Sequence, residues 1–180
     1  MKKRYHPSAP KYSQPTSGDR VTAHYVVAVD LGKRKVGVAV FYVNDTTTLL
    51  VKAETVLCGG GARAMAKKVH AVLSVGPDAK VRWVAEWPMK YKDKRLYHEA
   101  IESLHDVGNE LDRIIMGWDE KYRPGEWKGN VPKKPHHARI LAALRPEEIA
   151  VMPPVAEHDA WDAAGIGLYA TARTKRGGVV

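Results

Sequence analysis

Apolar residues along this chain change period several times, and each change marks an element. In the stretch VVAVDLGKRKVGVAVF, residues 26–41, two runs of Val and Ala, the second closed by Phe41, flank a short polar gap. Such runs bounded by turn residues read as strands buried on both faces. Gly32 and Gly37 bracket Lys33-Arg34-Lys35, so a tight hairpin joins them. Asn44-Asp45 and three threonines make the next turn, and residues 49–57 read as a third strand in meander order. Gly59-Gly60-Gly61 then opens a helix with Met65, Val69, Val72 and Leu73 at helical spacing. Gly76-Pro77-Asp78 ends it, and Val81-Arg82-Trp83-Val84-Ala85-Glu86 is a fourth strand stopped by Pro88.

The longest helical pattern follows, over about residues 94–115, where Tyr97, Ala100, Ile101, Leu104, Val107, Leu111, Ile114 and Ile115 form a broad apolar stripe. Part of that stripe has the 3-4 spacing that suits a partner helix from a second subunit, as well as packing on the sheet. Residues 136–144 turn helical, with Ile140, Leu141 and Leu144 inward and His136 and His137 at the helix start, facing solvent or phosphate. Pro153-Pro154 precedes a last helix over residues 157–169, whose Ala163, Ala164, Gly165 and Gly167 let it lie close to a sheet. Strands and helices in this order predict a mixed α/β domain.

Composition adds a direction. The formal charge of +9 and pI near 9.6 give a positive field that favours polyanionic partners, nucleic acid first. Residues 121–145 carry seven cations, Lys121, Arg123, Lys128, Lys133, Lys134, Arg139 and Arg145, against Glu126 alone, with Tyr122 and Trp127 among them. That is the composition of a phosphate-contacting segment. Residues 1–20 form a basic arm interrupted by prolines, residues 21–174 the expected domain, and residues 175–180 a tail. Cys58 is the sole cysteine, which excludes an internal disulfide and a CxxC zinc site. No apolar run approaches a membrane span and no signal peptide is legible, so a cytoplasmic protein, in a bacterial cell or phage-infected host, is expected.

The chemistry rests on four acids. Asp30 interrupts an apolar strand, where an unpaired charge costs several kcal/mol or neutralises, although Asp before Leu-Gly also suits a strand end turning into a hairpin. Glu86 closes the fourth strand, at the end where open α/β sheets bind ligands. Asp159 and Asp162 are three apart and share one face of the last helix's first turns; capping and the helix dipole would account for the pair alone. Taken together, clustered acids without His or Cys partners favour hard cations, Mg²⁺ or Mn²⁺, over zinc. Two such ions, roughly 3.5–4 Å apart, are what phosphodiester-cleaving sites use.

In that order VVAVDLGKRKVGVAVF, WVAEWP, PGEWKGNVPKK and HDAWDAAGIGLYA resemble the RuvC-like Holliday-junction resolvases, particularly the small versions carried by bacteriophages, within the ribonuclease-H-like superfamily. The similarity spans about residues 24–172. It implies a mixed five-stranded sheet, a three-strand antiparallel meander plus parallel strands, flanked by helices. It implies that Asp30, Glu86, Asp159 and Asp162 are the catalytic metal-binding acids, holding two Mg²⁺ per active site with Mn²⁺ as a substitute. Lys133 or Lys134 would match the family's basic residue at the cleaved strand's phosphate. It further implies a homodimer that nicks opposing strands of a four-way DNA junction symmetrically, with no nucleotide cofactor and no membrane partner. Lys128, Trp127, Lys33 and Arg34 complete the expected DNA contacts, together with Lys90, Tyr91 and Lys92 in a loop expected to probe the junction.

Other readings use the same residues. Asp-Leu-Gly with a basic turn also resembles the first phosphate motif of actin-like ATPases, but those need two domains and further Gly-rich motifs. The hairpin is similar to that of YqgF-type RNA-processing nucleases, which lack a Glu closing strand four in this form and the DxxD helix. A ribonuclease H of the same fold, or a non-catalytic junction-binding module, shares the scaffold. Four acids facing DNA would repel phosphate unless metal occupied them, which argues against the module.

Overall fold

The computed structural model describes residues 23–57, 59–76, 78–89, 98–175 and 178–179. The basic arm, Cys58, and Lys90, Tyr91 and Lys92 of the expected probing loop lie outside the described residues. The elements run β1 (His24–Asp30), β2 (Lys35–Val43), β3 (Thr48–Leu57), α1 (Gly61–Ala71), β4 (Lys80–Glu86), α2 (His98–Ile115), β5 (Glu120–Tyr122), α3 (Pro124–Trp127), α4 (Lys133–Ala143), α5 (Pro146–Ile149), α6 (His158–Ala170), and a small hairpin of β6 (Thr174–Lys175) and β7 (Gly178–Val179).

Five strands form one sheet in the order β3-β2-β1-β4-β5. The meander is antiparallel, and β1–β4 and β4–β5 are parallel, so the mixed α/β sheet is as expected. The fifth strand falls at residues 120–122, at the head of the segment read as irregular and basic. Its three residues add on parallel to β4, too short a run to show a period in the sequence.

Side chains alternate across a strand, and here both sides are covered. Val26 and Ala28 of β1, Ala39 and Phe41 of β2 and Val84 of β4 pack with Ala163, Ala164, Ile166 and Leu168 of α6 and with Trp127 and Ile140. Val27 and Val29, Val36, Val38 and Val40, and Trp83 and Ala85 pack the other way, against Met65 and Val69 of α1 and Val107 and Leu111 of α2. The result is a sheet between two helical layers. Continuous Val/Ala runs are the signature of strands buried on both faces.

Two glycines let α6 approach. A Cβ on Gly37 would lie 1.8 Å from the backbone oxygen of Asp159, and one on Gly167 would lie 2.1 Å from the Phe41 ring. The first turn of α6 therefore rests directly on β2. Far from that contact, Glu148 of α5, fully buried, accepts the Leu50 N–H at the β3 edge and pairs with the Arg173 guanidinium. These bonds hold its carboxyl below the ordinary carboxylate range despite burial.

Two inward and outward assignments are corrected. His136 and His137, expected to face solvent or phosphate, are 5% and 8% exposed, because α4 lies across α6 and both rings are captured between the helices. Leu141, expected inward, is 43% exposed, since Ile140 and Leu144 already supply the face that meets α6. No helix of the described residues is long and apolar enough to cross a membrane.

Candidate active site

Period-2 geometry brings the first two acids together. Val26, Ala28 and Asp30 share the α6 side of β1, and Val84 and Glu86 share it on β4. Asp30 is in register with Glu86 across the parallel pair and with Gly37 across the antiparallel one. Neighbouring strands lie about 4.8 Å apart, so the two carboxylates project side by side. Because Gly37 bears no side chain, the Asp159 backbone can settle against it, which sets the start of α6 over Asp30. Asp162 follows one turn on and is buried.

Asp30 lies in the field of the other three acids. The carboxyl of Asp30 is pushed well above the carboxylate range, first by burial and then by the charges of Glu86, Asp162 and Asp159. Glu86 is also raised, chiefly by burial, with Asp162 adding to the shift. Opposing this, the Trp127 indole N–H donates to Glu86 Oε2 at 2.8 Å, and Lys128 lowers both carboxyls. Lys128 Nζ stands 3.9 Å from Asp162 Oδ2. His137 Nε2 lies 3.0 Å from Asp162 Oδ1, and His136 Nε2 lies 3.8 Å from the same oxygen.

The expected strand-gripping residues occupy several places. Lys33 and Arg34 are exposed at the β1–β2 turn, next to the Asp30 end of the strand. Lys133 begins α4 and Lys134 is exposed in its first turn. Lys128 is only partly exposed and turned toward the acids, and Trp127 is 3% exposed, with its ring in the α6-side core. The sequence signal for these two was their place in a basic, aromatic segment. Nothing in that segment signalled that Trp127 would bond to Glu86, 41 residues before it. Trp87, next to Glu86, turns to the opposite face, where it stacks on His105 at 5.5 Å and lies under Lys121 Nζ at 4.1 Å.

The four acids offer oxygen donors, which suit a hard divalent cation, but the expectation of acids without His partners is corrected: α4 crossing α6 brings His137 and His136 to Asp162. Among the described residues, no three His, Cys, Asp or Glu side chains already converge as a coordination site, and Lys128 supplies positive charge there.

Comparison with known proteins supports the fold. The structure of Thermus thermophilus RuvC in complex with a Holliday junction substrate is similar to this chain with a TM-score of 0.55 and 17% sequence identity, over 85% of this chain and 98% of that one. A second structure of Thermus thermophilus RuvC is similar with a TM-score of 0.53 and 17% identity, over 84% and 98%. The chain therefore has the RuvC-like, ribonuclease-H-like fold. No family model and no curated protein matches it.

Proposed function

We propose that this protein is a divalent-metal-dependent endonuclease that resolves four-way DNA junctions by paired symmetric nicks, acting as a homodimer of the compact kind found in phages. The observation that carries the reading is the register of Asp30 with Glu86 at the strand ends beneath the start of α6, where the charges of Glu86, Asp162 and Asp159 add to burial in raising the Asp30 carboxyl. Supporting it are the fold shared with a protein seen bound to a Holliday junction and the net charge of +9.

In this mechanism Asp30, Glu86, Asp159 and Asp162 are the residues that would hold two Mg²⁺ ions. When bound, these supply the charge that lets the acids ionise together and the Lewis acidity for phosphodiester hydrolysis. The chain's own residues do the rest. Trp127 fixes one oxygen of Glu86, leaving the other for the site. Lys128 offsets the acids. Lys133 and Lys134 at the start of α4, and Lys33 and Arg34 at the hairpin turn, hold the strand on the cationic side. Trp127 serves the acids from within.

The test is a cleavage assay in Mg²⁺ with end-labelled four-way junction, linear duplex and RNA–DNA hybrid side by side, with Asp30→Asn as control. Paired nicks symmetric about the junction, absent in the variant, are expected. Preferential cutting of the hybrid would make this a ribonuclease H, and junction binding without cutting would leave a binding module.

A further inference from the structure

Two adjacent histidines straddle one carboxylate. Consecutive residues on a helix point about 100° apart, and only an element crossing at that point can bury both. Here α6 does so. His136 meets Trp127 edge-on at 4.9 Å, and His137 lies 5.1 Å from the His158 ring and 6.2 Å from Trp161. Between them sits Asp162, with Oδ1 toward both Nε2 atoms, at 3.0 and 3.8 Å, and Oδ2 toward Lys128.

Packing alone does not explain these imidazoles. Trp127 and Trp161 flank them, and an aliphatic side chain at either position would fill that space without polar atoms. Instead His136 Nε2 and His158 Nδ1 are buried without a hydrogen-bond partner, which costs about 1–3 kcal/mol for each such group. Polar groups retained against that cost are expected where function overrides packing. For His137 to donate to an ionised Asp162 in this contact, its proton must be on Nε2, since a carboxylate only accepts.

We propose that His137, backed by His136, is a positioning residue for Asp162: it fixes Oδ1 and so directs Oδ2 into the group formed with Asp30 and Glu86. The inference rests on the nuclease reading and deepens it, because a carboxylate held at one oxygen presents the other in one orientation. Partners that orient metal-binding side chains in this way typically change metal affinity about 10–100-fold when removed. His136 stands 3.8 Å off, beyond a hydrogen bond, and comes into range with a shift of under roughly 1 Å in the carboxylate.

The test uses His137→Leu and His137→Gln, with circular dichroism and melting to show that both are folded. In the free protein, His137→Leu is expected to weaken Mn²⁺ binding about 10–100-fold, read by titration with electron paramagnetic resonance. Junction affinity without divalent ions is expected to stay within about twofold, because the phosphate-gripping lysines are untouched. His137→Gln, which keeps a donor, is expected to restore most of the Mn²⁺ affinity. Unchanged Mn²⁺ binding in His137→Leu, or a folded His137→Gln no better than Leu, overturns the positioning role. A long-range ¹H–¹⁵N spectrum of the metal-free protein adds a signature independent of metal: His137 protonated at Nε2, with a resonance that moves in Asp162→Asn. An Nε2 that is unprotonated or indifferent to Asp162 overturns the contact itself. Wild-type protein that binds no Mn²⁺ while showing that signature overturns the metal-dependent reading instead, so the two failures are distinct.

Discussion

The two faces of the sheet are built from the same strands and do different work. On the α1/α2 face, Val27, Val29, Val36, Val38 and Ala85 meet Met65, Val69, Val107 and Leu111 in an apolar layer. On the α6 face the same alternation begins identically, with Val26, Ala28 and Ala39, and then ends in Asp30, Gly37 and Glu86 at the strand ends. One residue's offset separates a side chain that stabilises from one that repels its neighbours. The acids are accommodated because α6 arrives there with small residues, while α3 and the residue after it supply the bonded Trp127 and Lys128. Stability and chemistry are thus divided by face, and substitutions should have opposite signatures on the two sides.

The sharpest break is Asp30→Asn. It is expected to reduce junction cleavage to background while junction binding in the absence of metal is kept or strengthened, measured by gel shift. The same variant should gain stability. Because the folded state raises the Asp30 carboxyl, it binds that proton more tightly than the unfolded chain does. Above the ordinary carboxylate range, near pH 4, stability from this group falls as pH rises, until the raised value is passed. The melting temperature of Asp30→Asn minus that of wild type, taken with chelator present, should therefore grow from pH 4 upward. His136, held down to about 4 mainly by burial, is common to both proteins and drops out of the difference. A difference that shrinks with pH would contradict the crowding of acids around Asp30.

On the opposite face, Leu111 is fully buried among the α1/α2 residues. Leu111→Ala is expected to cost about 2–5 kcal/mol in denaturant unfolding. At a temperature where the variant remains folded, its cleavage rate should be near wild type. Gly37→Ala mixes the two signatures. The added Cβ would collide with the Asp159 carbonyl, so the start of α6 must move, at about 1–3 kcal/mol of stability. Cleavage is expected to fall far more than that loss explains, because the displaced turn carries Asp159. A Gly37→Ala protein with full activity would show that the α6–β2 contact does not set the site.

How much of this was legible beforehand follows from what each signal depends on. Asp30, Glu86, Asp159 and Asp162 stood out because each broke a local pattern: an acid in a Val/Ala strand, an acid at a strand end, two acids at the start of a small-residue helix. Register and alternation, which are properties of the strands themselves, put Asp30 beside Glu86, whereas Asp159 and Asp162 reach that end of the sheet only through the contact of α6 with Gly37. β5 was invisible, since three residues carry no period, and pairing with β4 alone defines it. His136 and His137 were misplaced for a related reason. Their burial comes from α6 crossing α4, and nothing within residues 136–144 encodes what crosses them. Trp127 sat in a basic run, and only the fold shows that its indole N–H reaches 41 residues back to Glu86.

That bond gives the smallest and most discriminating test of the division between faces. Trp127→Phe keeps a ring against Gly165 and Ile140 but removes the N–H on Glu86 Oε2. The bond is one of the two influences that lower Glu86 against burial and the Asp162 charge, so its loss pushes the Glu86 carboxyl further up. Less of Glu86 is then ionised at a given pH. Cleavage should fall by about 1.5–3 kcal/mol in kcat/KM, on the order of ten- to 150-fold, as expected for a hydrogen bond to a charged group. The rise of activity with pH should move to higher pH, and raising the pH should recover part of the loss. Junction affinity without metal should not change, because the indole is buried in the α6-side core. If Trp127 instead stacked on DNA, the order would reverse: binding would weaken and the pH profile would stay where it was.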